Sequence, residues 1–316
     1  MSAQLPPGAA ETMLGDDHLP EPPQGVLKRQ RRGGRFSLYA RRFARNRLAV
    51  VGLIVFVLLV LLAIFGEYLR PYDYTEPDFT ALGLPPDADH WFGTDGVGID
   101  LFAQVVHGLG RSLIIGVTVS LATTVIAAIV GATAAYLGGV AERIILGVIH
   151  FLLIIPSFLI LALISNSAGG DWKILVVVLT LFGWFLTARV IWSLATSLRE
   201  REYVLAARFM GVPPMTVVVR HIIPNIGSLL IITFTLGVVN TIQSETALSF
   251  IGFGVKLPDV SLGTLLATGA TTLVSSPWQF WFPAATVTLI TVSMALIADG
   301  LRDALDPTSA SGGRTR

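Results

Sequence analysis

The sequence predicts an all-α polytopic membrane protein with six transmembrane helices. Of its 316 residues, 53% are hydrophobic and 14% are charged, whereas a typical globular chain carries about 25% charged residues. A helix needs about 20 largely apolar residues to cross the hydrocarbon core of a bilayer, and six stretches of the sequence meet that requirement. These stretches are residues 48–66, 112–137, 144–165, 174–195, 222–243 and 281–298. Pro156, inside the third stretch, is predicted to kink its helix.

The distribution of Lys and Arg predicts how the six spans are oriented. Nine of these residues precede the first span, between residues 28 and 47, and an excess of Lys and Arg marks the cytoplasmic side of a membrane protein. The segment 67–110 holds eight Asp or Glu residues and a single Arg, so we assign it as an outer acidic loop. Six spans return the chain to its starting side, which places both termini in the cytoplasm.

The segments outside the spans are interpreted from their composition. Residues 1–27 are rich in Pro, Gly and acidic side chains and are expected to be a disordered tail. Residues 304–316 are expected to be a C-terminal tail. Residues 28–47 are expected to form a basic interfacial helix on the lipid of the inner leaflet, and the alternative is a charge cluster that only sets the topology. The apolar residues at helical spacing between the arginines are Phe36, Tyr39, Ala40 and Phe43.

The sequence excludes several functions for the chain itself. It contains no cysteine, which excludes a disulfide scaffold, a thiolate metal site and a cysteine nucleophile. The net charge of +1 argues against a nucleic-acid-binding protein. No G-x-x-x-x-G-K-S/T motif is present, so an ATP site of the P-loop type is excluded. We therefore expect no catalytic residues, no metal site and no cofactor on this chain.

The connection between the fourth and fifth spans, residues 197–221, predicts a helix, a turn and a second short helix. Gly211 offers a stop for the first helix, and Pro213–Pro214 prevents its simple continuation. A knob of this shape is suited to docking on a partner protein, and the alternative is an amphipathic loop that packs on its own helices. The residues at helical spacing in its first half are Tyr203, Ala206, Ala207 and Met210.

Residues 205–224, LAARFMGVPPMTVVVRHIIP, resemble the EAA loop of ABC-importer permeases, which follows E-A-A-x3-G-x9-I-x-L-P. The spacing matches throughout, while Leu205, His221 and Ile223 depart from the family's residue types. In that family the loop is the coupling helix, which docks in a groove of the ATP-hydrolysing subunit and transmits its closure to the membrane helices. The resemblance implies that residues 197–221 are the coupling loop. The residues implied at or near that contact are Glu202, Ala206, Ala207, Arg208, Gly211, Val212 and Pro213.

Further stretches are similar to the permease subunits of dipeptide, oligopeptide and nickel importers, and this resemblance runs from about residue 41 to residue 307. Two positions depart from the pattern: Ile99 stands where the family has Arg, and Ala284 stands where a Gly often occurs. The stretches are RRFARNRLAVVG, HWFGTDGVGIDLFAQVVHGLGRSLIIG, ETALSFIGFG, PWQFWFPA and ADGLRDALDP.

This resemblance implies a type I ABC-importer transmembrane fold with its core at residues 111–303, in a bacterial plasma membrane. It implies a second, homologous permease subunit, two ATPase subunits that bind ATP and Mg, and an extracytoplasmic substrate-binding protein. The chain is then no enzyme but one half of a membrane pathway for di- or oligopeptides. Nickel or another small solute is the alternative within the family.

Polar residues near the outer end of the fifth span are candidates for the pathway. Asn240, Gln243 and Glu245 either line it or cap the end of the helix. Farther out, the FGTD sequence at residues 92–95 is predicted to form a structural turn, and His90 beside it is expected to be solvated.

The rival function is an ATP-independent secondary carrier or channel. Proton-driven carriers need ionisable groups deep within the helix bundle. In this sequence most charged residues of the spans lie near span ends, which favours the importer subunit.

Overall fold

The computed structural model of the chain describes residues 35–167 and 169–305, which are mainly helical and contain no β-strand. By its packing the chain divides at Leu38, and the membrane-spanning helices belong to the second unit, Tyr39–Arg316. The helices are α1 (Arg35–Phe43), α2 (Arg47–Phe65), α3 (Leu101–Leu137), α4 (Gly139–Ile154), α5 (Ser157–Ser167), α6 (Trp172–Gly183), α7 (Phe185–Arg199), α8 (Glu202–Phe209), α9 (Pro214–Val217), α10 (Gly227–Phe250), α11 (Leu262–Thr271) and α12 (Trp278–Leu305).

Five helical segments are long and apolar enough to cross a membrane, and the bent pair α4–α5 makes a sixth. The all-helical, six-span fold predicted from the sequence is therefore confirmed. Helices satisfy their backbone hydrogen bonds internally, which is the condition for lying in hydrocarbon. The five unbroken segments are Arg47–Leu69, Leu101–Leu137, Trp172–Arg199, Pro214–Phe250 and Trp278–Leu305.

Two of the spans are interrupted within the helix bundle. The third bends by 69° between α4 and α5, and the kink expected at Pro156 is thus confirmed. Ile155 before this proline is extended, with ψ near 127°, because a proline disfavours the helical conformation of the residue before it. The fourth span changes from α6 to α7 at Trp184.

Several boundaries differ from those expected. Helix α3 begins at Leu101, so the acidic outer segment ends at Asp100, ten residues before the predicted end at residue 110. The carboxylate of Asp100 caps α3 by accepting a hydrogen bond from the amide of Ala103 at 2.8 Å. Residues 101–111 include polar side chains, so hydropathy alone does not assign this segment to a span. In the folded structure these side chains have hydrogen-bond or ion-pair partners. The short helix α11 was not expected from the sequence.

The ends of the chain are described only in part. Helix α1 ends at Phe43, within the basic segment predicted at residues 28–47, and α12 continues to Leu305, two residues into the predicted C-terminal tail. The predicted disordered tail at residues 1–27 lies outside the described residues, as do residues 306–316.

Helix α3 is the element on which the other helices pack. It contacts α2, α4, α6, α7, α10, α11 and α12, and it supplies side chains to each of the four buried apolar clusters of the described residues. A close backbone approach occurs at Gly131, where a Cβ atom would lie 2.5 Å from the carbonyl oxygen of Ala188 and 3.0 Å from the amide nitrogen of Trp192. The absence of a side chain here allows α3 and α7 to touch through their backbones.

We expect Gly131→Leu to force α3 and α7 apart and to lower the free energy of unfolding by about 1–3 kcal/mol or more, the usual cost of overpacking. Gly147→Leu on α4 is the matched control, because Gly147 is exposed and a Cβ there meets nothing within 4 Å. Both changes gain the same helix propensity. Equal thermal stability of the two purified variants would contradict this account of the packing.

Candidate functional site

A polar cavity of about 290 Å³ lies among α3, α5, α6, α7 and α10, inside the membrane-spanning part of the fold. Its wall carries many hydroxyl groups and one amide, and no Asp, Glu, Lys, Arg or His of the described residues lines it. A cavity lined by such groups at membrane depth offers hydrogen bonds to a polar solute that lipid cannot offer. The lining residues are Val119, Thr123, Thr124, Ser157, Leu161, Leu179, Phe182, Gly183, Thr187, Thr233, Gly237, Asn240, Thr241 and Ser244.

The largest share of this wall comes from one face of α10. Thr233, Gly237, Asn240, Thr241 and Ser244 are spaced four, three, one and three residues apart, which places them on one side of a helix with 3.6 residues per turn. The two interrupted spans border the same cavity, because Ser157 follows the α4–α5 bend and Gly183 precedes the α6–α7 break. The polar stripe was not identified from the sequence, although its helical spacing is visible there.

The three residues proposed for the pathway occupy different environments. Asn240 lines the cavity. Gln243 is exposed but does not belong to the cavity wall. Glu245 is fully buried, with 0% of its surface exposed, and lies away from the cavity wall among serine side chains. The structure therefore brings only Asn240 of the three to the cavity.

Glu245 joins three helices through hydrogen bonds. Its carboxylate accepts from Ser249 of α10 and from Ser261 before α11, both at 2.6 Å, and from Ser112 of α3 at 3.4 Å. Ser261 also caps α11 by accepting from the amide of Thr264 at 3.2 Å. These hydrogen bonds connect α10 to α3 and to the start of α11.

A second polar cluster joins the start of α3 to two loops. The imidazole Nε2 of His107 lies 2.9 Å from Asp259, whose other oxygen lies 2.8 Å from Nε of Arg111. The ring of Tyr74 stacks on His107 with centroids 3.6 Å apart, and the guanidinium of Arg111 lies 4.5 Å from the ring of Trp172. Partial burial raises the pKa of the Tyr74 hydroxyl above its ordinary value. These contacts give partners to the polar side chains of the first turns of α3, which starts eleven residues earlier than hydropathy predicts.

The turn expected at residues 92–95 lies just beyond them, at Asp95–Gly98, while Thr94 pairs with Asp100. The carboxylate of Asp95 accepts from the amides of Val97 and Ile99, each at 2.9 Å. The environment of His90 also differs from the expectation. His90 is 6% exposed, and its Nδ1 lies 2.8 Å from Asp100, so the prediction of a solvated side chain was wrong. A histidine and a carboxylate ten residues apart give no periodic signal, and the turn between them brings the two together.

The same turn is held to the last span. Trp278 Nε1 and Gln279 Nε2, at the start of α12, donate to the carbonyl of Thr94 at 3.3 and 3.1 Å. Nearby, hydrogen bonds from Thr80 lower the pKa of the exposed Asp78. The acidic segment is therefore an ordered cap over the ends of α3 and α12.

Residues 197–221, for which the resemblance implies a coupling loop, have the predicted order of helix, turn and helix. Helix α8 is followed by Gly211 with φ of +74°, a conformation that favours glycine. The chain then enters α9, a π-helical turn at Val218–Ile222 and a 3-10 turn at Ile223–Ile226 before α10 begins. This continuity makes the loop an extension of the fifth span.

The two faces of α8 are used differently. Val204 and Ala207 are buried against α3, α7 and the π-helical turn, and Val212 is partly buried beside them. One of the two interpretations of this loop was that it packs on the protein's own helices. That interpretation holds for the face of α8 that carries Val204 and Ala207. The predicted contact residues that remain exposed are Glu202, Ala206, Arg208, Gly211 and Pro213.

The tip of the loop carries two exposed apolar side chains that sequence reasoning missed. Phe209 is 86% exposed and Met210 is 75% exposed, immediately before the turn at Gly211. The helical spacing had placed Met210 on the same face as Ala207, but that face ends where α8 ends at Phe209. In the sequence, the two large apolar residues directly before Gly211 were the signal that could have predicted this exposed apolar surface. Exposed apolar groups of this size at a loop tip are typical of a docking surface.

Comparison with known proteins decides the family. Residues 103–310 match the family described as binding-protein-dependent transport system inner membrane component. The chain belongs to this family. Residues 35–86 also match the N-terminal transmembrane domain of oligopeptide transport permease C. As a member of the family, the chain is an inner-membrane permease subunit of an ABC transporter complex, which also comprises ATPase and binding-protein components, and it is not an enzyme.

Curated relatives match nearly the whole chain. The oligopeptide transport system permease protein OppC of Mycobacterium tuberculosis (strain ATCC 25618 / H37Rv) is 46% identical over 279 residues, which cover 88% of this chain and 96% of that protein. OppC of Bacillus subtilis (strain 168) is 35% identical, covering 84% and 87% of the two chains. The dipeptide transport system permease protein DppC of the same organism is 34% identical, covering 84% of each.

We expect Glu245→Ala to destabilise this permease by about 1–3 kcal/mol, because buried serine hydroxyls lose their acceptor. Glu245→Gln keeps an acceptor oxygen and nearly the same shape, so its loss should be smaller. Gln243→Ala, on the same helix but exposed, is the control for the substitution itself. The midpoint of thermal unfolding in detergent reports all three, and an unchanged midpoint for Glu245→Ala would show that the serine cluster contributes nothing.

Proposed function

We propose that this chain forms one half of an ATP-driven import pathway for short peptides, together with a second, homologous permease subunit. Two ATPase subunits, which bind ATP and Mg, dock on the coupling loop, and an extracytoplasmic binding protein delivers the peptide. The observation that carries the proposal is that the coupling loop packs on α3 and α7 and continues into α10, and these three helices also line the polar cavity. The cavity is a surface for a polar solute, and the loop is a surface for a partner.

The path from loop to cavity runs through packed side chains. Val204 and Ala207 of α8 belong to one buried apolar cluster with Ala132 of α3 and Ala195 of α7. Thr124 of α3 lies about two turns from Ala132, in the cavity wall. A push on α8 would therefore move α3 and α7 as rigid elements rather than bend the loop alone. Rigid rotation of packed helices about an interface is an established route to alternating access.

The peptide substrate rests on the relatives and on the chemistry of the wall. The names of the relatives specify oligopeptide and dipeptide transport. Hydroxyl and amide groups, as in Thr124, Thr187 and Asn240, can donate to or accept from peptide N–H and C=O groups. A nickel ion would favour imidazole or carboxylate ligands, and none of these lines the cavity among the described residues.

The topology proposed is that both termini and the coupling loop face the cytoplasm of a bacterial cell. The basic segment ahead of α2 and the arginines of the loop, Arg201, Arg208 and Arg220, support this orientation by the positive-inside rule. In this orientation the exposed Arg41 and Arg45 at the end of α1 face the anionic headgroups of the inner leaflet.

The decisive experiment is uptake by the whole complex. The tagged chain, purified from its native membranes with its partners and reconstituted into liposomes, should take up labelled tri-alanine only with internal ATP and external binding protein. The subunits that co-purify, identified by intact mass, should be one further permease and two ATPases. Uptake of nickel but not tri-alanine, or proton-driven uptake by this chain alone, would refute the proposal.

We expect the double variant Phe209→Ala/Met210→Ala to lower the amount of ATPase that co-purifies by at least about tenfold, because truncated apolar anchors at an interface commonly cost 2 kcal/mol or more. The thermal stability of the permease itself should not fall, since both side chains are exposed. Val274→Ala, which truncates another fully exposed apolar residue on the proposed outer side, is the control. Full retention of the ATPase by the double variant would place its docking surface elsewhere.

A further inference from the structure

We propose that the cavity wall contributed by this chain binds the peptide backbone of the solute and is neutral toward side-chain charge, with Asn240 as a specificity-determining position. The inference rests on the proposed function and concerns how that site selects among peptides. It depends on two features of the cavity: where the charges of the lining helices lie, and which polar side chains of the wall lack partners.

The charged side chains of the lining helices lie outside the cavity wall. Among them is the exposed Arg189 of α7, which stands two residues from Thr187 of the wall and so on the other side of that helix. Glu245 of α10 is enclosed by Ser112, Ser249 and Ser261. Arg199 of α7 lies 3.7 Å from Glu142 of α4. Arg111 of α3 pairs with Asp259. None of these charges reaches the wall, so a solute in the cavity meets dipoles and no formal charge from this chain's described residues.

The polar side chains of the cavity wall differ in their hydrogen bonding: Thr123 donates to the carbonyl of Ser120 at 3.1 Å, whereas others, including three on α10, have no partner among the described residues. Thr235, Thr286 and Thr291 each donate to the carbonyl four residues earlier, at 2.9 Å, which is the usual way for a threonine to satisfy itself in a helix. Thr241, Ser244 and Asn240 make no side-chain hydrogen bond to any described protein group. Polar groups inside a protein normally find partners, so these groups are available to a solute or to water.

Uncharged hydrogen-bond donors and acceptors without protein partners can bind the backbone, which is the part that all peptides have in common. Each residue of a peptide repeats one N–H and one C=O, and hydroxyl and amide groups pair with both without regard to the side chain between them. A fixed charge in the wall would instead attract solutes of opposite charge and repel those of like charge. Asn240 is exposed within the wall and sits midway along the α10 stripe, so a charge placed there acts on the whole cavity.

The test measures uptake of Ala-Lys-Ala and Ala-Glu-Ala by the reconstituted complex at saturating concentrations, with Ala-Ala-Ala as the reference. Dividing the Lys/Glu uptake ratio of each variant by that of the unmodified complex removes the preference of the binding protein and of the second permease. Unit charges about 4 Å apart in water change the uptake of each charged peptide about fivefold, in opposite directions for the two peptides. Asn240→Asp should therefore raise this ratio about 25-fold, and Asn240→Lys should lower it about 25-fold. Asn240→Ala should slow all three peptides alike.

Two further variants are controls, one for poor assembly of Asn240→Asp and one for an effect of added charge outside the cavity wall. Ser244→Asp, one turn along the same stripe, should shift the ratio in the direction of Asn240→Asp even if the latter assembles poorly. Ser228→Asp puts the same charge on an exposed position of α10 outside the wall and should leave the ratio unchanged. Assembly of every variant is checked by co-purification of its partners.

The outcomes separate the two proposals. Absence of tri-alanine uptake by the unmodified complex would refute the proposed function. Normal tri-alanine uptake with unchanged ratios in Asn240→Asp, Asn240→Lys and Ser244→Asp would refute the present inference alone. A shift in Ser228→Asp equal to that in Asn240→Asp would do the same, because it would show that selectivity does not depend on the cavity wall.

Discussion

The packing of α3 is the constraint on which the rest of the structure depends. This helix of 37 residues runs through all four apolar clusters, and at Gly131 its backbone touches that of α7. From its start, α3 first carries the polar cluster of His107 and Arg111 and then the Ser112 contact to Glu245. Farther along it carries two threonines of the cavity wall and then alanines of the apolar cluster that also includes α8. A displacement of α3 therefore changes contacts in the outer segment, the cavity and the coupling loop at the same time.

Polar groups within the spans fall into two sets with different consequences. Glu245, His107 and Arg111 are costly in a membrane and are each held by specific partners; such pairs fix the helices relative to one another. The stripe on α10 instead leaves Asn240 and Thr241 unpaired. The first set joins helices to one another, and the second leaves hydrogen-bonding groups open to the cavity.

The comparison of expectation and structure shows which signals are local. The six spans, the kink at Pro156 and the order of helix, turn and helix around Gly211 follow from hydropathy, proline chemistry and loop spacing, and each was predictable. The start of α3 at Leu101 was not, because Gln104, His107 and Arg111 make the segment too polar until their partners are known. The burial of His90 against Asp100 and of Glu245 among serines likewise depends on residues 10 to 133 positions away along the chain.

Apolar length, charge bias and motif spacing are properties of contiguous residues, so these signals were enough to predict a six-span membrane protein and to indicate the transporter family. That Asn240 faces a cavity, that Gln243 does not and that Glu245 is enclosed followed only from the packing of the helices. Those three residues lie within six positions on one helix and have similar polarity. Their environments diverge because each faces a different neighbour across the bundle, and which neighbour that is depends on how α3, α7 and α11 pack.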